Sequence, residues 1–171
     1  PVLSLILLAP LVGILAVQLL PGQRKVWLRT AALVFTLIPL ALSLWLFASF
    51  QPGTGGAAFT EQYTWLSIPL NKEAAGGEVT SMMLSFDYHL AIDGISLPLL
   101  VLTALVAAMA VLASVHINKR WKTYYTLFLL LQTGMYGVFL ARDLIEFFIF
   151  FEVTLIPTFF LIGIWGYYGK E

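Results

Sequence analysis

The sequence predicts an all-α integral membrane protein of about five transmembrane helices, with the N-terminus outside and a long external loop between the second and third. Three observations carry this. The first is composition: 60% of the 171 residues are hydrophobic and 11% charged, with a mean hydropathy of +0.92. An ordinary soluble domain is about 45–50% apolar and about 25% charged, so this chain has too little polar surface to cover itself in water. The second is spacing. Five apolar stretches, approximately 2–20, 27–50, 94–115, 123–141 and 144–167, each approach the roughly 20 residues that cross about 30 Å of hydrocarbon. The third is charge, which sorts by loop.

The first stretch, Val2 to Leu20, is followed rather than preceded by basic residues (Arg24, Lys25, Arg29). A secretory signal has the opposite order, so this stretch reads as a retained helix. Pro10, Pro39, Pro98 and Pro157 fall within the apolar stretches, where neighbouring helices can satisfy the carbonyls a proline frees. The first loop and the third (Lys119, Arg120, Lys122) are basic without an acid, and the connection over 51–93 carries Glu61, Glu73, Glu78, Asp87 and Asp93 against Lys72. The positive-inside rule then places the first and third loops in the cytoplasm and the N-terminus outside. Within 51–93, glycine-rich pieces read as flexible loop. Between and after them, Tyr63 to Ile68 and the alternating run Met82, Leu84, Phe86, Tyr88, Leu90 suggest a small external β-hairpin. No internal repeat is evident, and the whole chain, 1–171, reads as one membrane domain. Its start at Pro1 and its stop just past a helix suggest an N-terminal portion of something longer.

Several functions are excluded. Net charge is zero, so no basic face for nucleic acid is expected. With no cysteine, the chain offers no disulfide, thiolate zinc site, cysteine-ligated cluster or thiol nucleophile. The glycine-rich pieces lack the Gly-Lys-Ser/Thr of a phosphate loop, and no metal site is expected. The partner that composition implies is the lipid bilayer.

Ionisable groups deep in a membrane helix are costly and mark function by default. One stands near a helix centre: Glu152, about eight residues into the fifth stretch and so roughly 12 Å from its outer end. A carboxylate poised between burial and a nearby cation suits proton transfer; the structural alternative is a glutamate bonded to a neighbouring helix. Pro157 cannot donate to the carbonyl of Val153, freeing a polar group where water could bind beside Glu152. Gln132, mid-way along the fourth stretch, could hold water or bond across a helix interface, the commoner outcome. Gly134 and Gly137 allow close helix approach. Asp143 and Glu146 read as interfacial anchors that complement the helix dipole, the alternative being proton uptake, and Arg142 stands four residues before Glu146, a spacing that allows an ion pair. His116 reads as a helix C-terminal residue and His89 as a loop residue. Trp27, Trp45, Trp121, Trp165, Tyr124, Tyr125, Tyr167 and Tyr168 form an aromatic belt.

Two stretches carry a family resemblance. Ile92-Asp93-Gly94-Ile95-Ser96-Leu97-Pro98-Leu99-Leu100 looks like the start of the third helix of the antiporter-like subunits of NADH–quinone oxidoreductase (complex I). The run from Gly137 through Phe151-Glu152-Val153-Thr154-Leu155-Ile156-Pro157 to Gly166 is similar to their fifth helix. The match is best to the subunit called M in bacteria and chain 4 in mitochondria, and it spans most of 90–168; residues 1–89 match mainly in hydropathy. Phe151 stands where tryptophan is commoner, and Glu146 where an apolar residue is expected. The resemblance implies a proton-translocating membrane-arm subunit of about fourteen helices in a bacterial plasma membrane or its equivalent. Glu152 would be a member of its proton site, partnered by a lysine on a later helix. This chain alone would not be catalytic, and NADH, flavin, iron–sulfur clusters and quinone would belong to partner subunits. D-type subunits of cation/proton antiporters and membrane subunits of related hydrogenases share these motifs, and a non-catalytic scaffold is the remaining alternative.

Overall fold

The computed structural model describes residues 1–22, 24–50, 59–73, 79–117 and 119–166. The glycine-rich pieces read as flexible loop, and Glu78, Asn118, Tyr167 and Tyr168, lie outside them. The chain runs α1 (Val2–Leu19), α2 (Lys25–Ser49), β1 (Thr60–Glu73), β2 (Val79–Ala91), α3 (Ser96–Ala113), a 3-10 turn (Ser114–His116), α4 (Trp121–Leu140) and α5 (Leu144–Trp165). Predicted and observed helix ends agree within a few residues. Pro98 falls in the first turn of α3 rather than its interior, where its missing N–H has no intrahelical partner to lose.

Among the described residues, four helices are each long and apolar enough to cross a membrane: α1, α2, α3 with its terminal turn, and α5. The 20-residue α4 is long enough but more polar. It can be so because it is the central helix, packed against all four others, with Gln132 and Thr133 buried inside the protein. The core divides along the bundle. Leu3, Ile6, Leu46, Leu97 and Tyr136 gather toward one end, under the hairpin; Val17, Leu28, Val111, Tyr125 and Leu129 gather toward the other.

β1 and β2 pair antiparallel from Thr60↔Ala91 to Glu73↔Val79, with a bulge at Trp65 between Thr64 and Leu66. The predicted hairpin is present, and it is longer than the residues that suggested it. Its base is fastened to the helices. Leu90 bridges Ala141, and the Arg142 amide donates to the His89 carbonyl at 2.9 Å.

Helix ends at the two faces are satisfied by opposite charges. At the acid-rich outer end, the Glu61 carboxylate accepts from the amides of Leu3 (2.8 Å) and Ser4 (3.1 Å) and from the Ser4 hydroxyl. Asp93 Oδ1 accepts from the amides of Ile95 (3.0 Å) and Ser96 (2.6 Å), while Ser96 Oγ accepts from the Asp93 amide (2.9 Å), a reciprocal cap. At the base-rich inner end, Lys25 Nζ donates to the Val115 carbonyl (2.6 Å) and Arg29 to that of Leu112 (2.8 Å). Lys122 Nζ reaches the carbonyls of Gln18 (2.7 Å) and Leu20 (3.2 Å). Cations thus meet the unpaired C-terminal carbonyls of α1 and α3.

Candidate functional site

α5 begins at Asp143, whose Oδ1 accepts from the Ile145 amide at 2.9 Å. It lies against α4 along a strip of glycines. A Cβ added to Gly134 would stand 2.7 Å from Thr154 Cγ2 and 3.1 Å from the Thr154 amide nitrogen, and one at Gly137 would overlap the Phe150 ring. Phe150 and Thr154 therefore face α4. Glu152 lies two residues from each, about 200° around the helix, on the side away from α4. It is exposed there, among the exposed side chains of Phe148, Phe151, Leu155 and Ile156. Among the described residues it makes no hydrogen bond or ion pair.

The other two residues of the predicted site lie elsewhere. Gln132 is fully buried; its Nε2 donates to the Tyr136 hydroxyl at 2.6 Å, and its Oε1 accepts from Thr36 of α2 at 3.2 Å. It is a bond across a helix interface and is not brought to Glu152. Pro157 is buried within a helix that continues to Trp165. Around it, the Thr154 hydroxyl donates to the Phe151 carbonyl (2.6 Å) and that of Thr158 to the Thr154 carbonyl (2.7 Å).

At the outer end of α5 the expected pairing is corrected. Arg142 does not bond Glu146; its Nη2 lies 2.8 Å from Asp93 Oδ2. Spacing by four brings side chains together only inside a helix, and Arg142 precedes α5 in extended backbone held by the hairpin. The amide of Ser96 and then the Arg142 guanidinium hold the Asp93 carboxyl well below the usual carboxylate range. Glu146, read as an interfacial anchor, is instead buried, and its Oε2 accepts from the His89 amide at 3.1 Å. His89 is a strand residue of β2 rather than a loop residue. Among the belt aromatics, Trp121 and Trp165 donate through their indole nitrogens to the carbonyls of Gly22 (2.6 Å) and Lys119 (2.8 Å). Sequence reasoning missed Glu61 and Asp87 as docking residues of the hairpin. The acid excess of their loop was the available signal.

Apolar helices, opposite charge at their two ends and one carboxylate part-way along an exposed helix face define a multi-pass membrane protein. Residues 75–140 match the family described as NADH-ubiquinone oxidoreductase chain 4, amino terminus; this region runs through β2, α3 and α4 and stops before Glu152. NADH-quinone oxidoreductase subunit M of Rhodobacter capsulatus is 36% identical over 143 residues, 84% of this chain and 24% of that protein. NAD(P)H-quinone oxidoreductase chain 4 of Gloeobacter violaceus is 29% identical over 170 residues, 99% of this chain and 29% of that protein. Among solved structures, the membrane-bound sulfane sulfur reductase, an archaeal respiratory membrane complex, contains a chain with a TM-score of 0.70 and 25% identity, covering 95% of this chain and 23% of that one. The likeness extends over residues 1–89, beyond the two motifs that first carried it. The chain spans 29% and 24% of the length of these two curated relatives. It is similar to part of chain 4, or subunit M, of the NADH–quinone oxidoreductases.

Proposed function

We propose that this chain supplies the first five helices of a proton-translocating membrane-arm subunit of an NADH–quinone oxidoreductase, and that Glu152 is the charge it contributes to the proton site. The observation that carries the reading is the outward placement of Glu152. A carboxylate at this depth is expensive against lipid, and the four other helices lie on the far side of α5 or beyond it. The partner fitting this position is a cation, a lysine on a later helix of the longer protein. While the two are close, the carboxylate stabilises the protonated lysine. When rearrangement driven by quinone reduction separates them, the lysine holds its proton less tightly and passes it on. NADH, flavin, iron–sulfur clusters and quinone belong, in this reading, to partner subunits.

Replacing Glu152 by Gln in the full-length complex keeps shape and hydrogen bonding while removing the charge. Proton uptake into reconstituted vesicles should fall at least roughly tenfold, which corresponds to about 1.4 kcal/mol, with assembly retained. Normal pumping would sink the idea, and loss of assembly instead of pumping would turn it to a structural glutamate. A second reading is favoured by the likeness to the sulfane sulfur reductase chain: the same module serving different redox chemistry. Oxidation of NADH by the purified parent complex separates the two.

A further inference from the structure

The cations of the inner end, Arg24, Lys25, Arg29, Lys119, Arg120 and Lys122, meet no carboxylate among the described residues. The ion pairs found there, Pro1 with Glu61 and Arg142 with Asp93, both lie at the outer end. Lys25 and Arg29 stand one turn apart on α2 and together line an open-sided cavity of about 250 Å3 between α2 and the end of α3. Val26 and Leu33 of α2 and Val115 of the terminal turn supply its apolar wall. Lys25 is fixed in place: its Nζ donates to the Val115 carbonyl at 2.6 Å and stands 5.8 Å from the centre of the Trp121 ring. Arg29 is half-buried and carries five N–H groups. One, on Nη2, goes to the Leu112 carbonyl at 2.8 Å; the others have no partner among the described residues.

Like charges spaced by four on a helix repel. The α3 C-terminus that they cap offers roughly half a negative charge against two full positive ones, so an anion is the missing neighbour. Two features say which kind. The cavity is smaller than the roughly 300–1,000 Å3 of sites that enclose a small molecule, so it takes an anionic group whose remainder lies outside. The surface around it is apolar: Val26 and Val115 are 74% and 47% exposed, at the level where the exposed indole of Trp27 marks the membrane–water interface. We propose that this cavity binds an anionic glycerophospholipid of the inner leaflet. Its phosphate diester accepts from the remaining N–H groups of Arg29, beside the Lys25 ammonium, while an acyl chain passes Leu33 along the seam of α2 and α3. The planar guanidinium suits phosphate oxygens. A choline or ethanolamine headgroup would bring a further cation to a place with no carboxylate among the described residues to receive it.

The test uses the intact complex in nanodiscs carrying a trace of phosphatidylglycerol or phosphatidylcholine, each with the same photoreactive diazirine near the start of one acyl chain. After illumination, labelled peptides are mapped by mass spectrometry. The glycerol lipid should label α2 around Leu33 and the end of α3 about tenfold more than the choline lipid does. Arg29→Gln and Lys25→Gln should each cut that labelling about fivefold, the effect of one interfacial cation. Arg24→Gln and Lys119→Gln remove the same charge outside the cavity and should leave the labelling within about twofold. Should Arg29→Gln fail to assemble for want of its bond to Leu112, Lys25→Gln still decides. Equal labelling by the two lipids overturns the proposal. So does an equal fall in all four variants, which would mean a diffuse attraction of the leaflet to the basic loops. A seam that takes no label overturns it in favour of another helix or subunit covering the cavity, and displacement of the lipid by inorganic phosphate in favour of a soluble anion. Labelling is read without pumping, so the result stands apart from the role of Glu152.

Discussion

Glu146 and Glu152 stand six residues apart on one helix and occupy opposite environments, the first buried beneath the hairpin, the second exposed on the bundle surface. Gln132 belongs with the buried polar groups. Gln132→Leu, of similar volume, leaves the Tyr136 hydroxyl without its donor, while Thr36 keeps its 2.8 Å bond to the Ala32 carbonyl. A loss of about 1 kcal/mol of helix association is expected, seen as a lower melting temperature, with most proton pumping retained. Loss of pumping at unchanged stability would instead place Gln132 in the proton path. Asp93 gives a prediction in pH. Its carboxyl is held below its ordinary value, so its contribution is complete above the unfolded value, about pH 4, and is lost as pH falls through the lower folded value. Asp93→Asn keeps a capping side chain and loses the ion pair. The difference in melting temperature between the two proteins, worth about 0.5–1 kcal/mol for a partly exposed pair, should be the same at pH 7 and pH 5 and narrow only below about pH 4. What sequence could show at this scale was depth: Glu152 was legible as the charge farthest from a helix end. Which way it faced was not, because that depends on Gly134 and Gly137 of another helix. The partner of Arg142 was hidden for a related reason. Asp93 is 49 positions away in sequence, and helical spacing favoured the wrong acid.

At the scale of elements, hydropathy found α1, α2, α3 and α5 because lipid demands a continuous apolar length, a constraint that acts locally, and the more polar α4 was still legible by its length. The hairpin was only partly legible. Its second strand alternates, whereas its first gains its register from pairing with β2 and carries a bulge at Trp65. The seam between α4 and α5 is where an element-level change should tell. Gly134→Ala meets backbone as well as side chain, with Phe150 O at 3.2 Å and Thr154 N at 3.1 Å from the new methyl, so rotamer change cannot relieve it. Overpacking of this kind costs typically 1–3 kcal/mol, and because α5 packs on little besides α4 and β2, the strain should be relieved by moving α5 and Glu152 with it. The expected result is a complex that assembles in reduced yield and pumps less per assembled molecule. Full pumping per molecule would show that the position of α5 is set from its other side.

At the scale of the molecule, acids gather at one face and bases at the other, and each set also completes helix ends. Absence of cysteine from this chain makes the orientation directly measurable. In the full-length protein with any other reactive cysteines replaced, Thr64→Cys should react with a membrane-impermeant maleimide in intact cells, and Lys119→Cys only after permeabilisation. The reverse pattern would invert the assignment of outside and inside. The family was legible because its motifs fall in α3 and α5. The docking of the hairpin was not, since no single stretch of sequence contains it.

The exposed face of α5 also bears on how such a chain is made. A helix leaving the translocon has to enter lipid on its own account, before later helices are synthesised. Of the 22 residues of α5, fifteen are Leu, Ile, Phe or Val, each favouring insertion by up to about 0.3–0.6 kcal/mol, against roughly 3 kcal/mol for a charged residue at the helix centre. The run of phenylalanines around Glu152 supplies that excess. Thinning it with alanines would make insertion the step that fails.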